Sequence, residues 1–233
     1  MYKDFSVIIL AGGSSTRYGG NKLLEELAGY PVIFYSLNVF LDMLPANNII
    51  LVINEQFKEE LLTSLSNFIS QENLDKIRIV SGGASRQESV FNGLIEAEKH
   101  CKPNTIAIHD GARPLVSKEL ISNLYEKLKE YDFVIPGKRV TDTLKEVSPK
   151  LEIIRTVDRE KLIAVETPQI FDFEKLLLSY NEVNSKSLFT DDASLMELKG
   201  YLGVIYENPE QNTKVTYTSD IDYLTWILNN TES

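Results

Sequence analysis

Along the first 140 residues, short uninterrupted apolar runs alternate with longer segments whose apolar positions recur every three or four residues. The runs are FSVIILA (5–11), NIILVIN (48–54), KIRIVSG (76–82), TIAIHD (105–110) and DFVIPG (132–137). Their length and β-branched content predict strands buried on both faces. The intervening segments 31–44, 55–69, 86–100 and 117–131 carry helical spacing. Strands alternating with amphipathic helices predict an α/β domain with a mostly parallel sheet and helices on both faces. In such sheets ligands bind beyond the carboxyl ends of the strands. Three of these ends read AGGSSTR, SGGASRQES and HDGARP, so the expectation is that they converge on one crevice.

The alternation stops at residues 138–162. That segment is rich in Val, Ile and Thr, has a turn signal at Ser148-Pro149-Lys150, and shows no helical stripe. It predicts a β-hairpin arm. Two strands alone are marginal in water, so the arm needs a surface to pack on, either a second copy of the chain or its own domain. Beyond it come LIAVETPQIF (162–171), a helix near 173–180, TDDASLMELKG (190–200), a strand at 202–207 and a last helix at 220–230, where Trp226 falls at core spacing. No linker, repeat or low-complexity tract divides the chain, which reads as one domain over residues 1–233.

Composition narrows the chemistry. The net charge of −10 argues against general binding to nucleic acid or an anionic membrane, while leaving room for a locally positive pocket. One cysteine, Cys101, allows no intramolecular disulfide and suits a reducing cytoplasm. With only two histidines, a zinc site of the usual composition is not expected. No stretch approaches the roughly 18 apolar residues of a membrane helix.

Residues 10–22, LAGGSSTRYGGNK, then stand out, because they set four glycines, four hydroxyl residues and two cations after a strand. The dinucleotide fingerprint fails at Ser14 or Ser15, and the P-loop pattern fails because GGNKLL lacks the G-K-[ST] ending. A loop of small residues can still wrap a triphosphate with its backbone N–H groups, with Arg17 and Lys22 supplying charge. The alternative is a surface loop with two solvated cations. At the second strand end, Gly82 and Gly83 allow close approach, and Ser85 can cap the next helix, whose first N–H groups are offered to a ligand. At the third, Asp110 either serves a ribose hydroxyl or metal-bound water, or pairs structurally with Arg113. His109 reads as a packed strand-end residue, and Cys101 is given no catalytic part.

The ordered set AGGSSTRYGGNK, GGASRQESVFNGL, HDGARPLV, VTDTLKEV, TVDREKL, ETPQIF, TDDASLMELKG and NTKVT resembles the 2-C-methyl-D-erythritol 4-phosphate cytidylyltransferases. Similarity runs from Val7 to about Leu224. The ribitol-5-phosphate cytidylyltransferases share the nucleotide half.

The resemblance implies a Rossmann-like fold, a homodimer built through the arm, and Mg²⁺-dependent transfer of CMP from CTP to a polyol phosphate. It implies catalytic roles for Arg17, Lys22 and Lys214. Arg159, Thr143, Thr167 and Thr190 would bind the acceptor. Leu10, Ala11, Gly12, Gly13, Gly82, Gly83, Ala84, Arg86, Ser89, Asp110 and Gly111 would bind the nucleotide, with Asp110 also the candidate metal ligand. A ribitol phosphate enzyme and a non-catalytic CTP-binding protein are the alternatives. Three departures stand out: NKL where the family commonly has PKQ, Gly111 where Ala is commoner, and Gln211 where an acidic residue is frequent.

Overall fold

The computed structural model describes residues 2, 4–12, 21–182, 189 and 191–231. Its strands are β1 (Phe5–Ala11), β2 (Glu26–Leu27), β3 (Tyr30–Pro31), β4 (Ile49–Ile53), β5 (Arg78–Ser81) and β6 (Thr105–Asp110). They continue with β7 (Phe133–Arg139), β8 (Lys145–Val147), β9 (Ile153–Thr156), β10 (Ile163–Val165), β11 (Gln169–Asp172) and β12 (Gly203–Glu207). The helices are α1 (Val32–Met43), α2 (Lys58–Ser66), α3 (Gln71–Lys76) and α4 (Arg86–His100). After them come α5 (Lys118–Lys127), α6 (Phe173–Glu182), α7 (Asp192–Leu198) and α8 (Ser219–Thr231).

Each of the five apolar runs forms a strand of one eight-stranded sheet, in the order β10-β7-β11-β6-β1-β4-β5, with β12 also paired to β7. Strand β1 lies parallel to both β4 and β6, so its backbone groups are satisfied on both sides. Its side chains divide by parity. Phe5, Val7 and Ile9 pack into one core with α1, α5 and α8, whereas Ile8 packs into the other with α4, α6 and α7. That is why the sequence shows a continuous apolar run rather than alternation. Each such side chain contributes about 1.5–3 kcal/mol by leaving water.

Strands β10 and β11 run antiparallel to their neighbours. After the arm the chain returns along β7, with Ile163 opposite Arg139, and then inserts β11 between β6 and β7. Periodicity cannot foresee this, because a strand buried on both faces has the same composition in either direction. Helix α3 also escapes the apolar pattern: of its six residues QENLDK only Leu74 is apolar. Trp226 departs from the reading as a core residue, since it is 64% exposed. Leu224, two positions earlier, is the residue of α8 that enters the core at 0% exposure. Ile221 and Leu228, three before and four after Leu224, pack against the same core, and Trp226 lies off that stripe.

The hairpin arm is present as β8 and β9, a separate two-stranded sheet. The turn at Ser148 closes through its N–H to Glu152 O at 2.9 Å, and Leu151 adopts φ +64°. All residues of both strands are exposed, including Val147, Ile153 and Ile154. The arm therefore does not lie flat on its own domain.

Candidate functional site

The ends of β1, β4 and β6 and the start of α4 surround one cleft of about 470 Å³. Of the residues singled out in the sequence, Leu10, Gly12, Lys22, Gly83, Ala84, Arg86, Ser89, Asp110 and Lys214 line it. The convergence of three strand-end loops is thus realised. Ser85, within the Gly82–Ser89 loop, lines it as well, and so do Asn54, Leu23 and Ala112, to which the sequence reading assigned no ligand role. Asn54 was within reach of the same logic, because it is the polar residue that ends β4.

Two lysines enter this cleft from opposite ends of the chain. Lys22 Nζ donates to Val215 O at 2.9 Å, and Val215 N donates to Ala112 O at 2.8 Å. Lys214 Nζ donates to Asp110 Oδ2 at 2.6 Å. Arg86 lies 4.0 Å from Asp110 Oδ1 and 2.8 Å from the buried Asp192 Oδ2, and Tyr180 Oη donates to Asp192 Oδ1 at 2.6 Å. Arg113 is not the ion-pair partner of Asp110: its Nη1 donates to Asn212 O at 2.7 Å. Asn212 in turn donates to Thr167 O at 2.8 Å, which fastens the loop carrying Lys214 to the strand end.

Burial alone would raise the Asp110 carboxyl, but Lys214, then Arg86 and Arg113, overcome it and hold the pKa at about 2. Burial would lower Arg86, and Asp192 with Asp110 reverse that and raise it. The cleft therefore holds an ionised Asp110 carboxylate beside a charged Arg86 at neutral pH.

The loop before α4 differs from expectation in one respect. Its N–H groups are occupied: Gly82 N donates to Ile53 O, Gly83 N to Ser89 Oγ at 3.0 Å, and Ala84 N to Glu88 Oε2 at 2.8 Å. Ser85 caps α4 as foreseen, its Oγ accepting from Glu88 N. Glu88 folds back over the loop, and a Cβ at Gly83 would come within 2.3 Å of Glu88 Cγ. Glycine here serves the cap, and the loop is ordered before any ligand arrives.

Gly111 is buried behind the cleft rather than lining it, as is Thr167, which is 6% exposed. Thr167 Oγ1 accepts from Asp110 N at 3.0 Å. A Cβ at Gly111 would lie 2.4 Å from Ile33 Cδ1, so Ile33 fills the space that an alanine would need. Ala11 and Gly82 flank the cleft without lining it. Arg159 and Thr143 are on the exposed arm and do not line the cleft of their own chain. Arg159 Nη1 donates to Thr141 O. Gln211 accepts from Lys138 Nζ at 3.4 Å. Arg17, Gly13 and Thr190 lie outside the described residues.

Among the described residues no cluster of three or more His, Cys, Asp or Glu is arranged to hold a metal. Magnesium, however, is commonly bound by one or two carboxylates together with substrate phosphates. Asp110, ionised and facing the cleft, fits that mode. No helix among the described residues is long and apolar enough to cross a membrane.

A mostly parallel sheet with a strand-end cleft, and cations gathered around a single carboxylate, define a nucleotidyltransferase of the α/β class. The chain belongs to the 2-C-methyl-D-erythritol 4-phosphate cytidylyltransferase (IspD) family, whose model matches residues 5–230. Relatives bearing that family name include one from Bacillus licheniformis, 40% identical over 94% of this chain and 93% of the relative. Another, from Clostridium beijerinckii, is 36% identical over 97% and 98%. Among solved structures, 4-diphosphocytidyl-2C-methyl-D-erythritol synthase from Anaerococcus prevotii superimposes with a TM-score of 0.81 at 26% identity, covering 98% and 97%. The cytidylyltransferase from Francisella tularensis gives 0.78 at 27%, covering 96% and 99%.

Proposed function

We infer that this protein transfers CMP from CTP to 2-C-methyl-D-erythritol 4-phosphate, forming CDP-methylerythritol and pyrophosphate in isoprenoid precursor synthesis. The observation that carries the reading is that Lys22 and Lys214 both line one cleft, in a chain that matches the family along nearly its whole length.

In the reaction an oxygen of the acceptor phosphate attacks the α-phosphorus of CTP. A new P–O bond forms, the bond to the β-phosphate bridging oxygen breaks, and pyrophosphate leaves with that electron pair. Two anions must meet, so the protein's task is to neutralise and align them. Lys22 and Lys214 reach the cleft from separate loops and supply point charges there. Lys214 must release Asp110 to reach a phosphate, which frees an ionised carboxylate for a ribose hydroxyl or for Mg²⁺. When bound with the triphosphate, Mg²⁺ supplies further charge neutralisation across the phosphates. Arg86, anchored on Asp192, presents its guanidinium to the nucleotide side. Arg17 is assigned to the same transition state by family resemblance.

The acceptor-side residues Arg159 and Thr143 belong to the exposed arm. We assign them to the cleft of a second copy, with Val147, Leu151, Ile153 and Ile154 supplying the apolar contact of a homodimer. A mass near one chain at micromolar concentration, with full activity, would refute this assembly. The low cysteine content favours a cytoplasmic location.

The test is pyrophosphate release from CTP and Mg²⁺ with methylerythritol phosphate and with ribitol 5-phosphate in parallel assays. Preference for methylerythritol phosphate is expected. Preference for ribitol phosphate, or CTP binding without product from either acceptor, would overturn the reading.

A further inference from the structure

His109 is fully buried, directly precedes Asp110 in β6, and has no part in the chemistry above. Its ring sits between two hydroxyls, with Nε2 3.2 Å from Ser36 Oγ and Nδ1 3.3 Å from Thr167 Oγ1. The ring has no exposure and its hydrogen-bond partners are hydroxyls rather than carboxylates, so it is neutral. One nitrogen then donates and the other accepts.

The surroundings decide which. Ser36 Oγ lies 3.2 Å from Arg113 O and 3.4 Å from Gly111 O, neither of which can donate. The single Ser36 proton belongs to those carbonyls; sent instead to Nε2, it would leave the carbonyl oxygens facing bare lone pairs. Nε2 therefore carries the proton, and Nδ1 is bare. A bare Nδ1 takes the Thr167 hydroxyl proton. The same oxygen already accepts from Asp110 N at 3.0 Å. The Thr167 hydroxyl thus has its only proton turned inward, one lone pair in use, and one lone pair left.

We propose that His109 is a positioning residue, whose Nε2–H tautomer locks the Thr167 hydroxyl so that Thr167 pins the Asp110 backbone behind the cleft and, through the 6% of its surface left exposed, can only accept from a ligand. A polyol hydroxyl, which donates, suits that remaining lone pair. A phosphate oxygen, which needs a donor, does not. The proton assignment stands on the protein's own geometry, while the identity of the polyol rests on the proposed function.

The chain has two histidines, so a full-length His100→Gln variant leaves His109 as the single imidazole. His100 is a surface residue outside the cleft. Nitrogen-15 NMR of that ligand-free protein at pH 7 should show a protonated Nε2 and an unprotonated Nδ1. A protonated Nδ1, or an imidazolium, overturns the proposal.

Kinetics provide the second test. His109→Leu should raise KM for the polyol phosphate roughly ten-fold, the scale of one lost hydrogen bond. His109→Asn, whose Oδ1 can stand where Nδ1 stood, should recover most of that loss. In a Thr167→Val background His109→Leu should add nothing. Equal losses in the Leu and Asn variants, or additive effects, count against the proposal. Should His109→Leu not fold, the NMR result decides alone. If the parent protein turns over no polyol phosphate, the functional reading fails while the tautomer assignment is still decided by the spectrum.

Discussion

Lys22 donates to the carbonyl of Val215, 193 positions further along the chain. This bond ties the first strand-end loop to the loop carrying Lys214, so the two cations hold a common position through the backbone. Each lysine is parked on protein oxygen, at Val215 O and at Asp110 Oδ2, and both bonds are exchangeable for phosphate.

Replacing either lysine should therefore damage turnover more than folding. Lys22→Ala and Lys214→Ala are each expected to lower kcat by about 10²-fold or more, the scale of a lost transition-state donor. The check is steady-state pyrophosphate release alongside the thermal midpoint of each variant. Lys214→Ala should also raise the Asp110 pKa, because its strongest neighbouring charge is gone. Near-wild-type kcat in both variants would remove the pair from the mechanism.

Arg86 is held in the cleft wall by Asp192, a side chain with no exposure of its own. Asp192→Asn should weaken CTP binding about ten-fold in calorimetry and cost about 1–3 kcal/mol of stability, through the loss of a charge-assisted bond and poorer pairing of Tyr180. Unchanged CTP affinity would mean that Arg86 holds its place without that anchor.

The buried His109 makes stability depend on pH with a definite sign. The unfolded imidazole titrates near 6.5 and the folded one near 3, so between those values the unfolded chain binds the extra proton. Stability should therefore fall as pH drops below 6.5, with a slope of about 1.4 kcal/mol per unit from this residue. Urea unfolding at pH 7, 6 and 5 checks it, and His109→Asn should flatten the slope by that amount. Asp110 acts in a lower window: its depressed pKa stabilises the fold above about pH 4, and that contribution is lost on descent toward 2.

Gly111→Ala offers a packing test of a departure from the family pattern. The new methyl would meet Ile33 Cδ1, the end of a flexible side chain, so the cost should be about 1 kcal/mol rather than misfolding. Ile33→Val should compensate for part of it. Chemical denaturation of the two single variants and the double variant measures the coupling. A fully additive result would mean that the two side chains do not compete for one space.

Much of this molecule could be read before its coordinates. The apolar runs at Phe5–Ala11, Ile49–Ile53 and Thr105–Asp110 announced a buried sheet, and Ser85 announced the start of α4, because backbone sterics, burial and capping act over a few residues. The arm showed itself through a missing helical period. By contrast, Trp226 is exposed where its spacing suggests core, because one aromatic residue does not define a face. The antiparallel entry of β11 left no trace in the pattern, since strand direction does not alter which residues are buried.

What the chain alone determines is the inventory: a sheet with helices on both faces, an arm, and cations at Lys22, Arg86 and Lys214 within an acidic whole. Local propensity and hydrophobic period are properties of neighbours in sequence, and they survive without a fold. Only tertiary structure decided that Lys214 would meet Asp110, that Ser36, His109 and Thr167 would form one directed series of hydrogen bonds, and that Ile53 O would occupy the Gly82 N–H otherwise open to a ligand. Those relations depend on distances of about 3 Å between residues up to a hundred or more apart, and strand order and helix packing alone set such distances.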